Sequence, residues 1–232
     1  MKRILVIQGG GRPNGNTAQL ITAFVKGAES AGHQTEVISL LKNEVKDCLG
    51  CNACRYGKPC VQKDAFNEMV PKIKSADLVV FASPLYYWTF SARLKAFIDR
   101  FYCMAEECEP SLGRYESYPV KDSALLMTAA DNYFWTFEQA VSYYQFALVN
   151  YIGFHDRGMI LAGGCGDTNG AGRIKETQLY GDNVFEKDGI RRDRTGDGEK
   201  TRCLCGKRGI FNRDGPAMGL QIIRQLERRA SR

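Results

Sequence analysis

The stretch Ile4-Leu5-Val6-Ile7-Gln8-Gly9-Gly10-Gly11-Arg12-Pro13-Asn14-Gly15-Asn16-Thr17 decides the fold. Its four leading apolar residues read as a strand buried on both faces, and a glycine-rich turn then runs straight into a helix. Leu20, Ile21, Phe24, Val25 and Ala28 keep helical spacing from Thr17 to about Ala31, and Gly32 is placed to stop that helix. A turn of this kind presents several main-chain N–H groups and a positive dipole end to one point, which suits a phosphate.

Which phosphate the turn suits follows from its spacing. A dinucleotide fingerprint needs glycine at its first, third and sixth places, and Gly9, Gly11 and Asn14 miss the last. A P-loop needs a lysine where Asn16 stands, so a triphosphate is poorly matched. A single phosphomonoester, cradled by Gly9, Gly10, Gly11, Arg12, Asn14, Asn16 and Thr17, needs no such lysine. The bland reading is a tight turn with Asn16 or Thr17 as helix cap.

Outward from this motif the pattern alternates. Strands are expected at 36–40, 78–82 (Leu78-Val79-Val80-Phe81-Ala82), 124–128 and 158–162, with helices from Phe66 to Ile73, Arg93 to Tyr102 and Trp135 to Tyr151. Five strands with intervening helices predict an α/β, doubly wound parallel sheet in three layers, whose ligand crevice lies beyond the carboxyl ends of the strands. The loops after strands one, three and four should meet there. Pro84, Leu85, Tyr86, Tyr87, Trp88, Thr89, Phe90 and Ser91 follow the third strand and suit a flat conjugated ring, or else pack against neighbouring loops. Thr128, Ala129 and Asp131 follow the fourth and can close over the other side of that ring.

Four cysteines crowd into thirteen residues, Cys48, Cys51, Cys54 and Cys60. In a reducing compartment such crowding argues for metal, cluster or redox chemistry over disulfides. The CxxCxxC core lets three thiolates converge on a 4Fe-4S cluster with a fourth ligand farther along; structural zinc and free redox-active thiols compete with it. Cys103, Cys108 and Cys165 read as packing or loop residues, Cys203 and Cys205 carry no weight, and His33 and His155 read as structural.

The chain has 232 residues and a formal charge of +6, of which residues 180–232, with 13 Lys+Arg against 8 Asp+Glu, carry +5. The body is nearly neutral, which argues against nucleic acid as a partner. No stretch approaches 18 apolar residues and no secretory leader is apparent, so the expectation is a cytoplasmic protein with no membrane partner. Past about Leu179 the text turns to Gly, Asp, Arg and Lys, and only Met218 to Ala230 again looks helical. Residues 180–232 are therefore expected to form a basic, partly disordered tail, and residues 1–179 one domain with the cysteine segment 48–60 inserted after the second strand.

Taken together, Arg12 with Asn14-Gly15-Asn16-Thr17, Ser83-Pro84-Leu85-Tyr86 followed by Leu94 to Phe101, and the intervening cysteines resemble the NAD(P)H-dependent FMN reductase and iron–sulfur flavoprotein branch of the flavodoxin-like superfamily, over about residues 1–177. The resemblance implies FMN with its phosphate in the first loop and its isoalloxazine along Pro84 to Ser91, NAD(P)H as co-substrate, and a dimer or tetramer. It also implies an alternative, a 4Fe-4S electron carrier fed by ferredoxin; a zinc or thiol protein on the same scaffold is the third reading. Two features depart from the pattern. Gly10-Gly11 stand where the family usually has Ser-Pro, so one hydroxyl ligand to the phosphate is missing, and no closing helix directly follows the fifth strand.

Overall fold

The computed structural model describes residues 1–54, 58–105, 118–119, 121–131, 133 and 135–166. The tail from 180, its expected helix, Cys108, Cys203 and Cys205 lie outside the described residues. Five strands form one parallel sheet: β1 (Arg3–Gln8), β2 (Gln34–Ser39), β3 (Leu78–Pro84), β4 (Asp122–Thr128) and β5 (His155–Ala162). Their order, β2-β1-β3-β4-β5, is that of a flavodoxin-like doubly wound sheet, with its switch point between β1 and β3.

Alternation across β1, β3 and β4 sends successive side chains to opposite faces, and each face builds its own core. Ile4, Val6, Val80 and Leu126 pack against Leu20, Ile21 and Phe24 of α1 (Asn16–Ser30). Leu5, Ile7, Phe81 and Leu125 pack against α2 (Phe66–Ser75) and α3 (Ala92–Asp99), with Phe66, Phe97 and Phe101 meeting edge to face or tilted. Gly32, at φ +81°, takes the left-handed turn that lets the chain leave α1 for β2.

The helix expected from Trp135 to Tyr151 is two pieces. A short α4 (Glu138–Tyr143) gives way to π-helical turns over Tyr144–Tyr151. Tyr144 is fully buried there, its hydroxyl 2.7 Å from Ser123 Oγ and donating to Asp156 Oδ1 at 3.4 Å. These bonds tie the widened turns to β4 and β5, a tertiary constraint that apolar periodicity does not carry. Among the described residues no helix is long and apolar enough to cross a membrane.

Among the described residues, one ion pair is fully inside. Arg100, 1% exposed, donates to Asp64 Oδ2 at 2.6 Å and Oδ1 at 3.2 Å, donates to the Lys46 carbonyl at 3.0 Å, and lies 4.9 Å over the Phe66 ring. Asp64 also accepts the main-chain N–H groups of Lys46 and Phe66. The pair therefore pins the cysteine segment to the end of α3. Burial alone would raise the Asp64 carboxyl, but the hydrogen bond from Arg100 and the two main-chain donors outweigh it and hold that carboxyl below its ordinary value. A depressed carboxyl contributes stability above its unfolded value, near pH ~4, and loses it as pH falls through the lowered folded value. Removing one partner leaves the other charged and buried, so D64N is expected to lower the unfolding free energy by about 3 kcal/mol at pH 7. In urea denaturation the loss should shrink toward acid pH, whereas a wild-type-like midpoint at pH 7 would show the pair to be dispensable.

Candidate functional site

Loops at the carboxyl edge of the sheet are stitched to one another by main-chain bonds. Gly9 N–H donates to the Ala82 carbonyl (2.8 Å), Leu85 to Thr128 (2.7 Å), Ala129 to Ala162 (2.9 Å) and Cys165 back to Ala129 (2.8 Å). Gly9 makes this possible through its missing side chain. A Cβ there would lie 2.6 Å from Ser91 Oγ and 2.8 Å from Leu94 Cβ. Ser91 Oγ donates to the Gly9 carbonyl at 2.8 Å and accepts the Leu94 N–H that opens α3.

Between these loops lies a cavity of about 330 Å³, within the size range of small-molecule sites. Of the residues singled out from sequence, Gly10, Gly11, Arg12, Asn16, Thr17, Pro84, Leu85, Tyr86, Thr128 and Ala129 line it. Asn14 and Asp131 are exposed and do not line it, and Tyr87, Trp88 and Thr89 stand on the open turn beside it. Phe90 is buried with its ring 5.3 Å from that of Tyr143, and Gly9 and Ser91 do the packing just described. Gly15 and Ala130, which lie within the loops read as phosphate- and ring-facing, line it too, as do Cys165, read as a packing or loop residue, and Gly166, which the sequence did not single out. The signal for the last two was Gly163-Gly164-Cys165-Gly166 directly after a strand that neighbours β4.

The chemistry of the lining is specific. Gly15, the N-cap of α1, supplies no side-chain cap and the first turn holds no acidic residue, so the positive end of α1 faces the cavity with nothing to neutralise it. Arg12 adds a cation. Asn16 Nδ2 donates to the Cys165 carbonyl at 3.0 Å, which leaves Asn16 Oδ1 buried without a partner. A buried acceptor in this state calls for a ligand donor such as a hydroxyl. Thr17 Oγ1 and Thr128 Oγ1 lie 2.8 Å apart at the cavity floor. Burial pushes the Cys165 thiol up to about 11, so at neutral pH it is a neutral donor, to the Ala162 carbonyl.

A larger cavity, about 530 Å³, opens at the opposite edge beside Arg3, Glu29, Glu36 and Lys72. Glu29 there accepts from Thr35 and Glu36 from Lys72, both at 2.6 Å. Its carboxylates are already partnered, and it lies away from the edge where the loops converge.

The cysteine segment leaves Cys48 and Cys51 exposed, Cys54 buried and Cys60 half-buried. Burial first, and then the neighbouring Cys60, Cys48 and Cys51, raise the Cys54 thiol, so the four are within electrostatic reach of one another. Cys103 belongs to the same neighbourhood, raised to about 11 by burial and by Cys54 and Cys60. Among the described residues, no three His, Cys, Asp or Glu side chains are gathered as metal ligands. His33 Nδ1 accepts the Lys2 N–H, and His155 lies 3.7 Å from Asp122.

A family model described as NADPH-dependent FMN reductase matches residues 2–130. An iron–sulfur flavoprotein of Methanocaldococcus jannaschii is 37% identical over 98 residues, 42% of this chain and 51% of that protein. A protein of Bacillus subtilis described as a putative NAD(P)H-dependent FMN-containing oxidoreductase is 33% identical over 98 residues, with the same coverages. The chain thus spans about half the length of the relatives it matches. Among solved structures, an NAD(P)H:quinone oxidoreductase from Methanothermobacter marburgensis superposes with a TM-score of 0.61 at 17% identity, over 77% of this chain and 93% of that one. At that identity the likeness speaks to the fold.

The two adjacent glycines separate packing from binding. Ser91 Oγ and Leu94 Cβ sit on a capped helix start and cannot swing away, so G9A is expected to lose about 1–3 kcal/mol of stability. Gly10, whose added Cβ would meet nothing nearer than 3.6 Å, should accept alanine with an unchanged melting temperature. Equal melting temperatures for the two variants would contradict this division.

Proposed function

Since this chain belongs to the NADPH-dependent FMN reductase family, we propose that it holds one FMN at the carboxyl edge of its sheet and passes electrons from NAD(P)H through it to an acceptor. The observation that carries the reading is the uncapped first turn of α1 facing a cavity that also holds the unpartnered Asn16 Oδ1. A phosphomonoester answers the first need and a ribityl hydroxyl the second. Main-chain N–H groups of the Gly10–Thr17 turn, with Arg12, would hold the phosphate. Pro84, Leu85, Tyr86, Ala129 and Ala130 would flank the ring, and Cys165 with Gly166 close the side next to β5. When bound, FMN supplies the redox chemistry, and the protein supplies position, exclusion of water and fixed charge.

Thr128 has a part in this that its own contacts do not reveal. A hydroxyl has one proton, so if Thr17 gives its proton to a phosphate it must accept one from Thr128, 2.8 Å away. Thr128 then acts through Thr17. Titration of the apoprotein with FMN, followed by quenching of flavin fluorescence, is expected to saturate at one per chain. T128V should weaken FMN about tenfold and T128S restore it, with riboflavin, which lacks the phosphate, little affected. A protein that takes up no FMN would remove the function proposed, and an equal loss for FMN and riboflavin would remove Thr128 from the phosphate.

A second reading, a cluster-bearing electron carrier, is supported by the relatives named iron–sulfur flavoproteins and by the mutual electrostatic reach of Cys48, Cys51, Cys54 and Cys60. Their described geometry is not that of a ligand set. Iron and acid-labile sulfide assayed after anaerobic purification should each approach four per chain on this reading. Zinc at one per chain would favour a structural site, and neither metal would leave the thiols free.

A further inference from the structure

Two arginine side chains lie against bare glycines of the turn that opens α1. A Cβ added at Gly15 would come 3.8 Å from Arg12 Nε, and one added at Gly11 would come 3.3 Å from Arg93 Nη1. Gly11, Arg12 and Gly15 all line the cavity. Arg93 belongs to another element, the first turn of α3, and its guanidinium is the one group among the described residues that an added Gly11 side chain would meet within 4 Å. Gly11 does not hold left-handed backbone, so its own conformation does not demand glycine. What the missing Cβ does at this position is admit the guanidinium.

Arg93 also stands against the electrostatics of its own helix. The first turn of α3 holds no acidic residue, so a cation there meets the positive end of the helix dipole with nothing to offset it. Lys95, two residues on, pairs with Asp99 at 2.6 Å, whereas Arg93 has no hydrogen-bond or ion-pair partner among the described residues. Charge arithmetic gives the guanidinium a task. A phosphomonoester approaches a charge of about −2 near neutral pH. The first turn of α1 supplies about +0.5 and Arg12 adds one, which leaves about half a charge unbalanced. We propose that Arg93 is a second cation of the phosphate site, folding over Gly11 to complete the balance that Arg12 and the start of α1 leave unfinished. This rests on reading the cavity as the FMN site. It also accounts for Gly11 at a place where the family usually has proline, since any side chain there would crowd the guanidinium.

Arg93 is exposed, so its attraction for a phosphate is open to screening by salt. Apoprotein of the wild type, R93Q and R93K is titrated with FMN and with riboflavin by flavin fluorescence, at about 20 mM and about 500 mM NaCl, where the Debye length is about 20 Å and about 4 Å. R93Q is expected to bind FMN about fivefold more weakly at the lower salt and about twofold at the higher, with riboflavin unchanged and R93K recovering most of the loss. G11A, which crowds the guanidinium, should weaken FMN about twofold in the wild-type background and not at all in R93Q. If the wild type takes up FMN and R93Q matches it, loses riboflavin equally or shows a loss indifferent to salt, the proposal falls and the FMN reading stands. Equal effects of G11A in both backgrounds overturn it too. So does a rise in KM for NADPH but not NADH at unchanged FMN affinity, which would place the cation at the co-substrate. A wild type that takes up no FMN removes both.

Discussion

An α-helix that begins with nothing to neutralise its first turn is the constraint on which this molecule is organised. The N-terminal N–H groups of α1 have no intrahelical partner, and the sequence offers neither a capping side chain nor an acidic residue there. Gly9 brings the chain tightly against β3 and α3, so the loops after β3, β4 and β5 converge on the place where those donors point. A parallel sheet gathers all its strand ends at one edge, and here that edge carries a positive end, a cation and a buried lone acceptor. The fold thereby gathers groups that suit an anion, with a polar shoulder and an apolar wall beside them.

Much of this was legible in the sequence because it is local. Buried strands read as apolar runs, α1 as a periodic stripe, and the turn between them as a run of glycines. What sequence did not disclose is what depends on neighbours. Ser91 and Phe90 lie in a segment read as ring-facing, yet Ser91 caps α3 and Phe90 fills the core beneath α4. The π-helical turns follow from the Tyr144 hydroxyl reaching Ser123 and Asp156, residues on two other strands. Cys165 read as packing because a single cysteine near a strand end has no spacing to interpret, and only the β4–β5 pairing brings it to Asn16.

The cysteine segment is joined to the body through a charged contact. Asp64 accepts from Lys46 and Arg100, and Arg100 also reaches the Lys46 carbonyl, so the chain on both sides of Cys48 to Cys60 is anchored at one buried point. Cys103 follows Arg100 by one turn and faces Cys54 and Cys60 from the body. Two thiols lie outward and three inward, so the segment has a solvent face and a protein face of different reactivity. Burial raises Cys54 and Cys103 and keeps those sulfurs as thiols, while Cys48 and Cys51 are open to whatever approaches.

The cavity itself bears on the kind of reaction. Its described lining holds no carboxylate and no imidazole, and its one thiol, Cys165, is pushed up to about 11 by burial. Arg12 is a fixed cation, and the threonine hydroxyls pass hydrogen bonds without changing charge. A reaction needing a protein acid or base poised near neutrality would find none on these walls. Hydride and electron transfer between planar rings makes no such demand, since it needs proximity, orientation and a fixed field. On the proposed function, the same walls that leave general acid–base catalysis without a group would offer those three to rings held against them.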